Sequence, residues 1–295
     1  MVFFDPLIIQ ILQALFAYDV WVLLDMLSSD IVYVGLLGII YWCINKREGK
    51  IAVNLLMFSM FFNILLKYAF HMERPPTTYR EGDYKLDTSY GFPSGAAQTS
   101  ATFWGWASVK LRRWWVWLAG IFFVIITALA RMGLGMHWLG DVVGGILIGI
   151  IIVTMAFFLV PFFLERWEKM SQVLQDWLLP IMALIFFAIF SAAYLVVPYF
   201  PTENIAVSMG VVFGFGVGAT LEAHYINFET DVPRNTKIIR AILGLIIAIV
   251  LYYAFSFVFE LLVINEIFVF RFIKYIIVGF AGAFLVPLIF KAIGK

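Results

Sequence analysis

Val142–Leu164 and Ala241–Phe259 are apolar runs without a charged side chain in either. Each reaches the ~20 residues an α-helix needs to cross a hydrocarbon core. Lipid offers the backbone no hydrogen bonds, so a chain built on such runs folds as a helix bundle or as a closed barrel. The two-residue alternation of a membrane barrel is absent, which leaves the bundle. Only 13% of the 295 residues are charged, against about 25% in a soluble domain. The net charge of +1 excludes a strongly basic nucleic-acid binder, and the apolar composition makes membrane lipids the expected partners. Cys43, the one cysteine, sits in an apolar segment and forms no intrachain disulfide. Without a basic flank or a small-residue cleavage site at the N-terminus, no removable signal peptide is expected.

Asp5 and Pro6 read as an N-cap and a first helical position, opening a helix to about Met26. It carries Gln10, Gln13, Asp19 and Asp25, no basic residue and an imperfect apolar stripe, so it is expected to lie in the interface. Spans are expected at 30–45, 51–70, 94–110, 114–131, 138–164, 178–199, 205–222, 238–262 and 266–291. The segment Pro93–Lys110 is polar for a lipid-facing span and belongs inside the bundle. Gly210, Gly214 and Gly218 fall four apart on one face, the spacing that lets membrane helices approach closely. Packing within the chain is the plain use of that stripe, and a homodimer is its alternative.

Basic residues set the orientation. Thirteen of the twenty Lys and Arg residues fall on alternate connections: Lys46, Arg47, Lys50, Lys110, Arg112, Arg113, Arg166, Lys169, Arg234, Lys237, Arg240, Lys291 and Lys295. They mark the cytoplasmic side. Lys67, Arg74 and Arg131 then stand at the outer face, against the usual bias, and want an anionic partner there.

Three short segments collect most of the polar groups that a span should avoid: Lys67–Pro75, Pro93–Ala96 and Arg131–Asp141. Under this topology all three meet at the outer face. Together they describe a phosphate site. Lys67, Arg74 and Arg131 supply cations, and an arginine grips two phosphate oxygens at once. Pro93 opens a helix whose first N–H groups, around Ser94 and Gly95, are free to bind an anion. His137 and Asp141 are four apart and share a helix face, so the carboxylate can fix the imidazole tautomer and leave the other nitrogen as a nucleophile. Phosphoryl transfer asks mainly for placement and charge stabilisation, which these groups provide without a metal or other cofactor.

The segments resemble the signatures K-x6-R-P, P-S-G-H and S-R-x5-H-x3-D of the type 2 phosphatidic-acid phosphatase superfamily. Lys67, Arg74 and Pro75 match the first; Pro93, Ser94 and Gly95 the second; Arg131, His137 and Asp141 the third. The resemblance covers about residues 30–200. It implies an all-α polytopic membrane bundle with a six-helix phosphatase core at 30–200; outside it, the residue pattern gives the expected interfacial N-terminal helix at 1–29 and about four further transmembrane helices at 201–295. The resemblance also implies hydrolysis of a lipid phosphate or diphosphate through a phosphohistidine. His137 would attack phosphorus, Asp141 would orient it, and Lys67, Arg74, Ser94, Gly95 and Arg131 would bind phosphate. A multi-pass place in a plasma (cell inner) membrane, with the site facing outward, is expected.

Two residues depart from the signatures. Ala130 replaces the serine before Arg131. Ala96 stands where the family has the histidine that protonates the departing alcohol. Loss of a general acid costs about 10²–10⁴-fold in rate. The alanine reads as a substitution that traps an inactive enzyme; the alternative is a natural relative that binds lipid phosphates without hydrolysing them, or a transferase or carrier. His71 reads as an interfacial histidine rather than a replacement acid, and His224, with Glu222, as a solvated helix end.

Overall fold

The computed structural model describes residues 2–80, 89–194, 202–261 and 267–294. Every long element among them is helical, as expected. In chain order the helices are α1 (Leu7–Leu15), α2 (Tyr18–Met26), α3 (Asp30–Ile39), α4 (Lys46–Phe70), α5 (Gly95–Leu111), α6 (Trp114–Gly133) and α7 (Leu139–Glu168). There follow α8 (Gln172–Tyr194), α9 (Thr202–Leu221), α10 (Arg234–Leu261), α11 (Phe268–Phe280) and α12 (Val286–Ala292). A π-helical turn, Ala281–Leu285, joins α11 to α12 into one length, so the four helices past residue 201 make three long stretches.

Eight stretches among the described residues are long and apolar enough to cross a membrane. The first, Tyr18–Ile44, begins earlier than the span expected at 30–45. Backbone bonds such as Leu27 N to Leu23 O and Ser28 N to Asp25 O carry α2 through the turn towards α3. The far end of the span expected at 178–199, the start of that at 266–291 and the last residue of that at 238–262 lie outside the described residues.

The helices are inside-out relative to a soluble bundle. Leu147, Ile151, Phe158 and Phe163 on α7 are exposed, whereas Ser59, Asn63, Gln98, Thr102 and Thr127 are buried. Water would penalise such an outer surface; lipid does not. α5 is the polar helix expected inside the bundle, and it buries Gln98, Thr99, Ser100, Thr102 and Ser108. With no water available, those groups bond to one another. Asn63 donates to Gln98 Oε1 at 2.8 Å, Gln98 donates to Ser59 O at 2.8 Å, and Ser59 meets Thr102 at 3.0 Å.

Two compact units organise the chain: Met1–Tyr33 with Phe58–Phe162, and Val34–Met57 with Phe163–Lys295. In the first, α5 lies along α6, and α7 crosses the start of α5 where Gly145 and Gly149 face its backbone. A methyl at Gly149 would stand 2.8 Å from Gln98 O. The N-terminal segment departs from the single helix expected to Met26. Asp5 does cap its start, accepting Leu7 N at 2.9 Å, but the chain turns extended at Phe16 and Ala17. No glycine or proline marks that break. Docking makes it: α1 and α2 both pack on α6, with Ile8 and Leu12 against Ala128 and Met132, and Trp21 against Leu134 and Met136.

In the second unit the Gly210, Gly214 and Gly218 stripe packs on α11 of the same chain. Gly214 faces the carbonyl of Ile276, and a methyl at Gly210 would stand 2.7 Å from Phe272 O. Glu222 departs from expectation. Its neighbour His224 is exposed, bonded to Asp176 at 3.0 Å, but Glu222 is fully buried. It is held by Lys46 at 2.9 Å and Phe228 N at 2.9 Å. Burial of a carboxylate requires such partners.

Candidate active site

The site belongs wholly to the first unit. Lys67 lies in the last turn of α4, buried, and its ammonium donates to the carbonyl of Tyr90. Past α4, Gly91 N donates to Met72 O at 2.7 Å and ties the 71–74 segment to the 89–91 segment. Arg74 reaches between them. Its Nε donates to Ser89 O at 2.7 Å and its Nη2 to Ser89 Oγ at 3.1 Å. Its Nη1 donates to Met136 O at 3.1 Å and faces His137 Nε2 at 3.1 Å.

That last contact fixes a proton. A guanidinium nitrogen only donates, so Nε2 of His137 accepts and the imidazole proton resides on Nδ1. Nδ1 lies 3.3 Å from Asp141 Oδ2, the acceptor that tautomer needs. The same Oδ2 accepts the backbone N–H of Trp138 at 2.9 Å. Trp138 precedes the first residue of α7 and Asp141 is its third, so the carboxylate reaches back to cap the helix. One side chain therefore sets both the start of α7 and the orientation of the imidazole.

His137 is 3% exposed. Burial, and then the cations of Arg74, Lys67 and Arg131, hold its pKa well below the usual imidazole value. The ring is neutral at neutral pH, as a nucleophilic nitrogen must be. All three cations act on the one ring, so the first and third sequence segments converge.

The second segment completes the cradle. Ser94 N donates to Asp141 O at 2.9 Å, which fastens the start of α5 to the start of α7. Ser94 is fully buried and its hydroxyl has no hydrogen-bond partner among the described residues. The first N–H groups of α5, from Gly95 onward, have no acceptor within the helix. A methyl at Gly95 would stand 3.2 Å from Asn63 Oδ1. Ala96 follows in the first helical turn, half-buried. A sharp turn carries Arg131 and His137: Gly135 adopts φ +66, and a side chain there would strike the Tyr79 carbonyl. That is a position for glycine.

Arg131 is not held as its partners are. Its Nε pairs with Asp25 Oδ1 at 2.8 Å, and Asp25 comes from α2. Asp25 carried no motif in the sequence, although a carboxylate in a largely apolar helix was a signal. Asn63 and Gln98, which brace the cradle from beneath, carried no motif. His71 is exposed, with its ring 4.7 Å from that of Tyr90. Three cations around a neutral imidazole repel a metal ion and attract an anion. The Nε2 lone pair is taken up by Arg74 in this arrangement, so an oxyanion can face Nε2 only when Arg74 turns to it.

The family model for the PAP2 superfamily matches residues 49–166, which contain every residue of this cradle except Asp25. A second, for the PAP2 superfamily phosphatase transmembrane extension, matches residues 206–295. Between them they cover more than half of the sequence. The chain belongs to the PAP2 superfamily and is a helical membrane protein of that lipid-phosphatase family. Among solved structures it is similar to the first transmembrane PAP2 type phosphatidylglycerolphosphate phosphatase from Bacillus subtilis. The two are 20% identical, over 57% of this chain and 86% of that one, with a TM-score of 0.44. No curated protein sequence matches the chain.

Proposed function

We propose that this chain binds a lipid phosphate or diphosphate at the outer face of a plasma membrane, and that its architecture is that of a metal-independent phosphohistidine hydrolase. The supporting observation is the paired geometry of His137. Nδ1 is committed to Asp141 at 3.3 Å and Nε2 is presented to the guanidinium of Arg74 at 3.1 Å. In that reading Arg74 turns from Nε2 to a phosphoryl oxygen and frees the lone pair, Nε2 attacks phosphorus, the P–O bond to the lipid alcohol breaks, and water later releases phosphate from the nitrogen. Lys67, Arg74, Arg131, the Ser94 hydroxyl and the amides of Gly95 onward neutralise charge on the phosphoryl oxygens. The core doing this work is residues 30–200, with 1–29 and 201–295 flanking it.

Ala96 supplies neither an acid for the leaving alkoxide nor a base for the water. The chain as it stands is therefore impaired towards simple lipid monoesters, and less so towards diphosphates, whose leaving group needs less help. Restoring the histidine tests the reading. Ala96→His should release phosphate from a lipid phosphate in the presence of a chelator, with inhibition by vanadate and loss on His137→Ala. Release that survives His137→Ala removes the nucleophile; no release at all from Ala96→His favours a binding protein that performs no chemistry.

A further inference from the structure

We infer that Asp25 is a positioning residue of this site, acting through Arg131, and that the N-terminal helices α1 and α2 are part of the active-site framework. The inference rests on the phosphate-binding reading above. Its ground is a buried ion pair: Asp25 is 2% exposed and its Oδ1 lies 2.8 Å from Arg131 Nε. Burying a carboxylate beside a guanidinium in an apolar bundle costs desolvation that the attraction barely offsets, so stability alone is a weak reason for the pair. Geometry is a better one. With Nε beside Asp25 and Nη1 3.5 Å from Met136 Sδ, the guanidinium plane is set from one side, and that placement decides whether its terminal nitrogens can reach a phosphate oxygen.

The rest of the segment braces the same turn. Gln13 Nε2 donates to Gly133 O at 3.2 Å and to Tyr79 O at 2.7 Å. Gly133 has no side chain, and the indole of Trp21 fills that space; Trp21 packs further against Leu134 and Met136. Phe4 lies against Gly140, where a methyl would stand 2.8 Å from its ring. Apart from the Gln13–Tyr79 bond, these contacts fall between Gly133 and Gly140, the turn between Arg131 and Asp141 that holds His137. An amphipathic anchor for the interface needs none of them.

Positioning and plain charge neutralisation predict opposite signs. A carboxylate that merely competed with phosphate for Arg131 would, once removed, leave the site more positive and tighten anion binding. A positioning carboxylate, once removed, lets the guanidinium swing and weakens it. The purified full chain, titrated calorimetrically with orthovanadate, separates them. Asp25→Ala should weaken binding by about tenfold, the size of one charge-assisted hydrogen bond. Asp25→Asn, which keeps shape and an acceptor for Nε, should stay within about threefold of the parent and guards against a folding defect. In an Arg131→Ala background, Asp25→Ala should add nothing, because its effect passes through that side chain. Tighter binding in either Asp25 variant overturns the inference, as does an undiminished Asp25→Ala effect without Arg131. Failure of the parent chain itself to bind orthovanadate would sink the phosphate-site reading and the inference with it. Parent binding that Asp25→Ala leaves unchanged sinks the inference alone.

Discussion

Asp141 faces two donors through one oxygen: Oδ2 lies 3.3 Å from His137 Nδ1 and 2.9 Å from the Trp138 amide. The imidazole is thereby tied to the first turn of α7, and its angle is as fixed as the helix. Asp141→Asn keeps the shape but offers a donor where Nδ1–H needs an acceptor, which favours the wrong tautomer. In the Ala96→His form, kcat should fall by about 10²–10⁴-fold with KM little changed. Steady-state kinetics on a lipid phosphate checks this; a change confined to KM contradicts it.

Acid should destabilise the fold through His137. An imidazole in the unfolded chain takes up a proton near pH ~6.5, whereas burial and the surrounding cations hold the native ring well below that value. Between the two, the unfolded state binds a proton that the native state does not. Stability therefore falls as pH drops below about 6.5 through this window, and is insensitive to this group above it. Thermal melts in detergent from neutral to mildly acidic pH should show that decline in the parent chain and a shallower one in His137→Gln. Parallel declines would assign the effect to other groups.

Arg74 should not tolerate lysine. Its Nε and Nη2 clamp the carbonyl and hydroxyl of Ser89 while Nη1 reaches Met136 and His137. An ammonium cannot span those acceptors. Arg74→Lys should weaken orthovanadate binding by about tenfold although the charge is kept, the scale of one lost charge-assisted bond. Binding equal to the parent's would reduce Arg74 to a point charge.

The glycine stripe offers a test in the second unit. A side chain at Gly214 would strike the backbone of α11 at Ile276, so Gly214→Leu should destabilise by about 1–3 kcal/mol as an overpacked contact. The melting temperature should drop while the mass of the detergent-solubilised particle stays the same. A change in that mass would return the stripe to a dimer interface.

Much of this was legible because membrane proteins write two things plainly. Apolar runs announce helices, and charges that interrupt them announce chemistry; Lys67, Arg74, Arg131, His137 and Asp141 all stood out in that way. Pro93 and Gly95 gave the start of α5. What stayed hidden depends on contacts between segments far apart in sequence. The break at Phe16–Ala17 has no local signal and follows from docking on α6. Burial of Glu222 required Lys46, 176 residues away. Asp25 looked like one more polar residue on an interfacial helix until Arg131 was found beside it.

Phosphoryl transfer to His137 can be sought directly in the unaltered chain. An aryl phosphate has a leaving group good enough to depart without an acid, so the first step should proceed despite Ala96, while the second step, lacking a base for water, lags. Incubation with a radiolabelled aryl phosphate should leave an acid-labile, alkali-stable label on the protein, mapping to His137 and absent from His137→Ala. An unlabelled chain, or a label that persists in His137→Ala, contradicts the account.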